Sequence, residues 1–274
     1  TGGGEMRHGR HWFSKAGLWF GLAFLYVPIV SMIVFSFNNS RLVTVWDAPN
    51  SPTLRWYGEL FRNEQILGAA WLSIRIAAMS ATGAVVLGTL AGLVLARFGP
   101  FRGRALLSGM TTAPLVMPEV ITGLSLLLLF VSLEQLIGWP AMRDAATITI
   151  AHITFSMAYV TIVVQSRLAG FDNSLEEAAL DLGARPAKVF FRITLPLIVP
   201  AIMSGWLLAF TLSWDDVVVS QFVAGPGSTT LPMVIFSKVR LGVSPDVNAL
   251  ATIMVLIVAT GVVASAFWMR RQER

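Results

Sequence analysis

Apolar residues gather into six long runs, at about 17–37, 69–96, 105–133, 146–166, 197–222 and 248–269, separated by segments where polar residues, glycine and proline concentrate. A bilayer core is crossed by about twenty apolar residues in helical form. Each run therefore predicts a transmembrane helix, and the chain an all-α, polytopic bundle of six. The fourth run is diluted by Thr147, Thr149, His152, Thr154 and Ser156, but such side chains can face the interior of a bundle and bond across it. The first run is longer than a signal-peptide core and has no small-residue cleavage site at its end. Phe35-Ser36-Phe37-Asn38 is thus expected to be the exit of a retained helix. Thr1-Gly2-Gly3-Gly4 is given no structural weight.

The connecting segments differ in kind. Residues 38–68 mix the turn formers Pro49 and Pro52 with the interfacial aromatics Trp46, Trp56 and Tyr57, and predict a partly structured cap. Within 223–247, Gly225-Pro226-Gly227, Leu231-Pro232 and Gly242-Val243-Ser244-Pro245 punctuate the chain too densely for one helix, which predicts a re-entrant or short-helix loop. Neither an internal repeat nor a low-complexity linker divides the sequence, so a single membrane domain is expected over residues 1–274.

Composition narrows the function. Hydrophobic residues make up 55% of the chain and charged ones 13%, with a mean hydropathy of +0.70, beyond what a soluble domain carries. There is no cysteine, and the three histidines (His8, His11, His152) are scattered, so neither a disulfide framework nor a metal centre is expected. A net charge of +5 raises the question of nucleic acid, but the basic residues flank apolar runs instead of forming a patch. If six helices alternate, Arg7, Arg10, Lys15, Arg97, Arg102, Arg104, Arg167, Arg185, Lys188, Arg192, Arg270, Arg271 and Arg274 fall on one side. That side is expected to be the cytoplasm, with both termini there. Arg41, Arg55, Arg62, Arg143, Lys238 and Arg240 fall opposite, among as many acidic residues.

One polar island on the basic side has its own design. Leu175-Glu176-Glu177-Ala178-Ala179-Leu180-Asp181-Leu182 is rich in helix formers, Asn173 or Ser174 is placed to cap it, and Gly183 to stop it. Pro186 suits the first turn of a second short helix through Phe191. The product is a helix-turn-helix knuckle, ending in Ile193-x-Leu195-Pro196. The sequence Glu177-Ala178-Ala179, three residues, Gly183, nine residues and Ile193-x-Leu195-Pro196 resembles the cytoplasmic signature loop of ABC-importer permease subunits. The resemblance implies the type I importer fold, with a coupling loop at about 173–196. Glu176, Glu177, Ala178, Ala179, Gly183, Ile193, Leu195 and Pro196 would then meet an ATP-hydrolysing subunit.

The resemblance runs through the chain and points to the inner-membrane permeases of bacterial polyamine importers, of the putrescine type. It is carried by Ser36-Phe37-Asn38-Asn39-Ser40, Leu42-Val43-Thr44-Val45-Trp46, Arg55-Trp56-Tyr57-Gly58-Glu59-Leu60 and Arg97-Phe98-Gly99. Further on it is carried by Ala113-Pro114-Leu115-Val116-Met117-Pro118-Glu119-Val120-Ile121-Thr122-Gly123, Leu212-Ser213-Trp214-Asp215-Asp216-Val217-Val218-Val219-Ser220 and 242–252. Two positions depart from the pattern: Trp214 where leucine is usual, and Glu119 where aspartate is often seen. The resemblance implies a bacterial inner-membrane subunit that pairs with a second, related permease as a heterodimer. It would sit on two ATPase subunits that bind the ATP and Mg, and receive putrescine, or spermidine or another small cation, from a periplasmic polyamine-binding protein. Lipid is the remaining partner; nucleic acid is not one, and no cofactor is expected on this chain.

Ionisable groups at membrane depth are costly unless they face protein or water, and so mark candidate function. Glu119 lies about fourteen residues into the third run, roughly 20 Å along a helix, just after Met117-Pro118, where a lost backbone donor frees carbonyls to line a cavity. It serves either a cation path or a structural pair with Arg75 or His152. Asp215 and Asp216 would point about 100° apart on a helix, so one is expected to bind and the other to cap or pair. Phe210, Trp214 and Phe222 are candidate rings for cation–π contact, or simply packing. Arg75 is expected to snorkel, and His152 to make an inter-helix hydrogen bond.

The chain has no Gly-x-x-x-x-Gly-Lys-Ser/Thr phosphate cradle and no Gly-x-Ser-x-Gly elbow. No catalytic residue is therefore assigned, and ATP hydrolysis is expected elsewhere. A rival from another class is an ion-coupled secondary transporter, with Glu119 and the aspartates carrying protons. A lower-ranked one is an intramembrane enzyme built on His152.

Overall fold

The computed structural model describes residues 5–40, 45–172, 174–241 and 245–272. Thr1–Gly4, Arg41, Leu42 to Thr44, the proposed cap Asn173, Gly242 to Ser244, Glu273 and Arg274 lie outside the described residues. All regular structure among the described residues is helical: α1 Glu5–Phe35, α2 Arg55–Leu60, α3 Glu64–Arg97, α4 Arg104–Val116, α5 Glu119–Ile137, α6 Ala145–Ala169, α7 Ser174–Asp181, α8 Pro186–Val189, α9 Leu195–Trp214, α10 Val218–Val223, α11 Leu231–Leu241 and α12 Pro245–Gln272. Five stretches are long and apolar enough to cross a membrane: Ser14–Phe35, Glu64–Arg97, Glu119–Ile137, Ala145–Ala169 and Pro186–Trp214. A shorter apolar stretch, Pro245–Gly261, lies within α12 and stands where the sixth was expected.

Two of the predicted runs are interrupted. The third is not one helix: it breaks at Met117 and Pro118, both extended, with ψ of 136°. A residue before proline is pushed out of the α region, and proline itself has no N–H to continue the ladder. Glu119 is therefore not deep inside a continuous helix, as its spacing suggested, but the first residue of α5. The fifth run breaks at Asp215 to Val217, between α9 and α10. There the Asp216 carboxylate accepts the backbone N–H groups of Val219 (3.2 Å) and Ser220 (2.7 Å), taking donors that a new helix start leaves open.

The chain resolves into two compact units. One comprises the residues up to Leu67 together with those from Ser237 onward. In it the cap expected over 38–68 is organised by Asn38, which is buried. Its side-chain Nδ2 donates to the Val45 carbonyl (2.7 Å), its Oδ1 accepts the Asp47 N–H (3.0 Å), and its own carbonyl accepts the Trp56 indole N–H (2.7 Å). Each polar group of a buried asparagine is thus spent on closing a loop, which is what lets it be buried. The Ser36 and Tyr57 hydroxyls bond at 2.6 Å. Lys238 donates to Asp246 across the start of α12. No residue of the apolar stretch of α1 is buried, and Trp19, Phe20, Phe24 and Leu25 lie on its surface.

The other unit, Gly68–Phe236, is built round α6, the most buried of the apolar helices. Small residues let its neighbours approach. A Cβ added at Gly88 of α3 would lie 2.7 Å from the Val160 side chain and 2.9 Å from the Met157 carbonyl of α6. On the opposite flank Gly205 of α9 faces the same Val160. In a membrane, where apolar burial between helices gains little, such close backbone packing does much of the holding. Polar side chains join the same helices: Ser80 of α3 donates to Ser213 of α9 (2.9 Å), and the Trp206 indole N–H of α9 donates to Thr82 of α3 (3.1 Å).

Candidate functional site

The break between α9 and α10 faces the break between α4 and α5, and the two interruptions enclose a cavity. Its volume is about 360 Å3, and its walls include Glu119, Thr122, Phe155, Tyr159, Asp215 and Asp216. All three carboxylates singled out in the sequence meet here, although Glu119 lies 96 positions before Asp215 and 97 before Asp216. Glu119 and Asp215 are exposed, whereas the Asp216 side chain is 6% exposed and committed to the protein.

Asp216 is held from the core side by His152, which is 1% exposed. The His152 Nε2 lies 3.2 Å from the Asp216 carboxylate and 3.1 Å from the Ser220 hydroxyl, and its Nδ1 lies 2.6 Å from Ser213. With the Ser80 to Ser213 bond, a continuous chain of polar contacts runs from α3 through α9 and α6 to α10. A buried polar network of this sort pays its desolvation only when nearly every member is bonded, and the His152 ring uses both nitrogens. His152 is thus an inter-helix hydrogen-bond hub. Its partners among the described residues are Asp216, Ser213 and Ser220, and not Glu119.

The aromatic walls are not the ones suggested by sequence. Trp214 does not line the cavity; it stacks on Phe210 (centroids 6.2 Å apart), which stacks on Trp206 (5.3 Å), a ladder at i,i+4 spacing along α9. Phe222 packs against Gly123, where an added Cβ would meet its ring at 2.6 Å. The rings that do face the cavity are Phe155 and Tyr159 of α6. The signal for them was present: they lie three and seven residues beyond His152, on the same helical face.

The knuckle forms as its spacing predicted, with a different finish. α7 ends in a left-handed Gly183 (φ +83°), whose N–H bonds to the Leu180 carbonyl (2.9 Å) while the Ala184 N–H bonds to Ala179 (3.0 Å). This paired closure needs the positive φ that glycine adopts freely. Ser174 is already helical and not a cap; the Asp172 carboxylate accepts its N–H at 2.9 Å. Pro186 opens α8. The second short helix does not stop near Phe191 but runs through a π turn, Phe190–Thr194, directly into α9. In that turn the Leu195 N–H reaches the Phe190 carbonyl, five residues back, and the widened turn makes room for Pro196, which has no N–H to offer.

Glu176 and Glu177 divide between two environments. Glu177 and Ala178 are exposed, as are Gly183 and Pro196, while Ala179, Ile193 and Leu195 are half-buried. Glu176 turns inward: its Oε1 accepts from Arg97 Nη2 at the end of α3 (3.1 Å) and from the Thr194 hydroxyl (2.5 Å). The Arg97 guanidinium also lies over the Phe171 ring at 5.2 Å. These groups sit at one side of an apolar groove of about 370 Å3 lined by Leu90, Leu93, Leu180 and Phe190. Leu182, at 89% exposure, and Phe191, at 63%, leave an apolar surface on the outside of the knuckle. Among the described residues no group of His, Asp and Glu is arranged to hold a metal ion.

Comparison with known proteins agrees with this geometry. A family model described as the binding-protein-dependent transport system inner membrane component matches residues 84–274. The chain is 57% identical over 256 residues to the putrescine transport system permease protein PotI of Escherichia coli strain K12, covering 93% of this chain and 89% of that one. It is 44% identical over 243 residues to the spermidine/putrescine transport system permease protein PotC of the same strain, covering 89% and 88%. Among solved structures, a chain of a bacterial ABC transporter involved in the import of the acidic polysaccharide alginate is similar with a TM-score of 0.70 at 15% identity, over 96% of this chain and 97% of that one.

Proposed function

Because the chain belongs to the family of binding-protein-dependent transport inner-membrane components, we propose that it is the subunit through which an ATP-driven importer passes putrescine into the cytoplasm. The observation that carries the substrate reading is the cavity where Glu119, Asp215 and Asp216 meet against Phe155 and Tyr159. A diamine at neutral pH carries two ammonium groups, each of which resists leaving water. Carboxylates offset that cost by charge-assisted hydrogen bonds, and ring faces add attraction once water is excluded. Glu119 and Asp215, exposed to the cavity, are the groups that meet the cation. Asp216, already bonded to His152 and the α10 amides, shapes the wall.

The partners follow from the same reading. A second related permease completes the path and, with lipid, covers the exposed α1. Two ATPase subunits that hold ATP and Mg engage the knuckle at residues 173–196 through Glu177, Ala178 and the exposed Leu182 and Phe191. A periplasmic binding protein delivers the cation. The whole chain acts as one permease domain with both termini in the cytoplasm, and it takes no chemical part in hydrolysis. Closure of the ATPase pair favours the outward-open state and its reset the inward-open one; the motor drives transport only because it binds the two states unequally. The PotC relative is named for both spermidine and putrescine, which makes spermidine the second reading, since the cavity chemistry serves either amine.

The test is ATP hydrolysis by the assembled complex in proteoliposomes, with its binding protein loaded with putrescine, spermidine or a neutral sugar. Stimulation by putrescine supports the proposal, and stimulation by spermidine alone supports the second reading. A response to the sugar with none to either amine rejects the acidic cavity as a cation site. Uptake by this chain without any ATPase subunit would favour the ion-coupled alternative.

A further inference from the structure

Glu176 and Glu177 are adjacent, yet only one of them faces outward. We infer that Glu176 is the strut that carries movement of the knuckle into the membrane helices, a positioning residue distinct from the docking surface; the inference rests on the importer reading above. A single carboxylate oxygen of Glu176 ties α7 to two membrane helices at once. Arg97, the last residue of α3, donates to it at 3.1 Å, and Thr194, the last residue of the π turn before α9, donates to it at 2.5 Å.

The surroundings suit a load-transmitting contact. The Glu176 and Arg97 side chains are only 19% and 24% exposed, so water competes weakly for the pair. Arg97 is steadied from the other direction by the Phe171 ring. Thr194 is buried at 4% exposure, and its backbone continues without interruption into α9, which carries Asp215 at its far end. α3 likewise carries Ser80, bonded to Ser213 of the polar network beside the cavity. A push on α7 is therefore applied to α9, which lines the cavity at Leu212, and to α3, which is bonded to α9 through Ser80 and Ser213. Were the strut absent, α7 would still be joined to α6 and, by way of α8 and the π turn, to α9, but it would lose its bond to α3 and its direct hold on the start of α9.

The assembled complex in proteoliposomes tests this through the number of putrescine molecules moved per ATP hydrolysed. In Glu176→Ala the ATPase subunits are expected to co-purify as in the wild type, with hydrolysis within about twofold and the transport ratio at least about fivefold lower. Glu176→Gln keeps a carbonyl oxygen able to accept from both donors and is expected to recover most of the ratio. Thr194→Val, which removes one of the two donors, should fall between; it decides the matter should the Glu176→Ala chain fail to fold and insert in the membrane. Loss of the ATPase subunits from Glu176→Ala would make Glu176 a docking residue and overturn the inference. So would hydrolysis and uptake falling in proportion, or Gln behaving like Ala. Failure of the importer reading looks different: Glu177→Ala would then retain full uptake.

Discussion

The α9–α10 break and the knuckle solve one problem in two settings. Each carries a pair of adjacent acids at a helix boundary, Asp215-Asp216 and Glu176-Glu177, and in each pair one acid is bound into the protein while its neighbour is exposed. What differs is the partner of the bound one. Asp216, at 6% exposure, is held by a histidine ring and two backbone amides. Glu176, at 19%, is held by an arginine and a hydroxyl. Deep in an apolar bundle a long cationic side chain is hard to bury, and short dipoles anchored to helices do the work. At the edge of the bundle arginine brings its charge at little cost. The buried version is therefore mainly a folding element, the peripheral one mainly a mechanical link.

Removing Asp216 breaks the comparison hardest. Asp216→Ala leaves the Val219 and Ser220 amides without their acceptor and the His152 Nε2 with the Ser220 hydroxyl alone. Each orphaned buried donor costs about 1–3 kcal/mol, so the purified chain is expected to lose most of its thermal stability in detergent, with Asp216→Asn intermediate. Thermal unfolding that matches the wild type would show the network to be incidental. Glu176→Ala, with its partly solvated pair, should change the same unfolding curve by no more than about 1 kcal/mol.

The scaffold that both regions share comes next. α3 carries Ser80 toward one and Arg97 toward the other, and Gly88 between them lies against α6. Gly88→Leu would overlap Val160 and the Met157 carbonyl, costing about 1–3 kcal/mol by overpacking. Uptake should fall together with stability, because both regions are displaced. A variant that lost transport while keeping the wild-type unfolding curve would place the coupling elsewhere than α3.

The exposed acid of the cavity gives a smaller, cleaner effect. Asp215→Asn removes a charge from the cavity wall without disturbing the Asp216 bonds, so folding should be unchanged and putrescine uptake reduced about tenfold, corresponding to about 1.4 kcal/mol. Glu119→Gln should match it. If Asp215→Asn leaves uptake intact while Glu119→Gln abolishes it, the two are not equivalent and the cation is held from the α5 side alone.

How much of this was legible in the sequence depends on whether the signal was local. The knuckle was readable because Gly183 and Pro186 act within a few residues of themselves, and the wide spacing of Glu177, Gly183 and Ile193-x-Leu195-Pro196 is itself a pattern. The continuation of α8 into α9 was not, since a proline such as Pro196 suits the first turn of a new helix as well as it suits a π turn within one. Pro118 announced the α4–α5 break, but hydropathy counted straight through it. The meeting of Glu119 with Asp215 and Asp216 was expected as chemistry and not as geometry, because nothing local fixes how α5 and α9 stand. Trp214 stayed open between path and packing for a related reason: i,i+4 aromatics stack along their own helix as readily as they face a path. The inward turn of Glu176 was invisible, its partners Arg97 and Thr194 lying 79 and 18 residues away.

The smallest effect separates the start of the knuckle from its strut. The amide and hydroxyl of Ser174 hold the Asp172 carboxyl below its ordinary value, because both bonds favour the charged form. A carboxyl whose value is lowered by folding stabilises the folded segment fully above its ordinary range and loses that contribution as pH falls through the lowered value. The first turn of α7 should therefore loosen in acid, seen as faster hydrogen exchange around Ser174 and Leu175 beyond the intrinsic pH trend. Asp172→Asn keeps an acceptor oxygen and should abolish the pH dependence while leaving the rest of α7 protected. Since Glu176 is tied independently to Arg97 and Thr194, protection from Ala179 to Asp181 should hold over the same range. If the whole of α7 loosened with Asp172, the segment would depend on its first turn and not on the strut, and the division of labour between the two adjacent glutamates would fail with it.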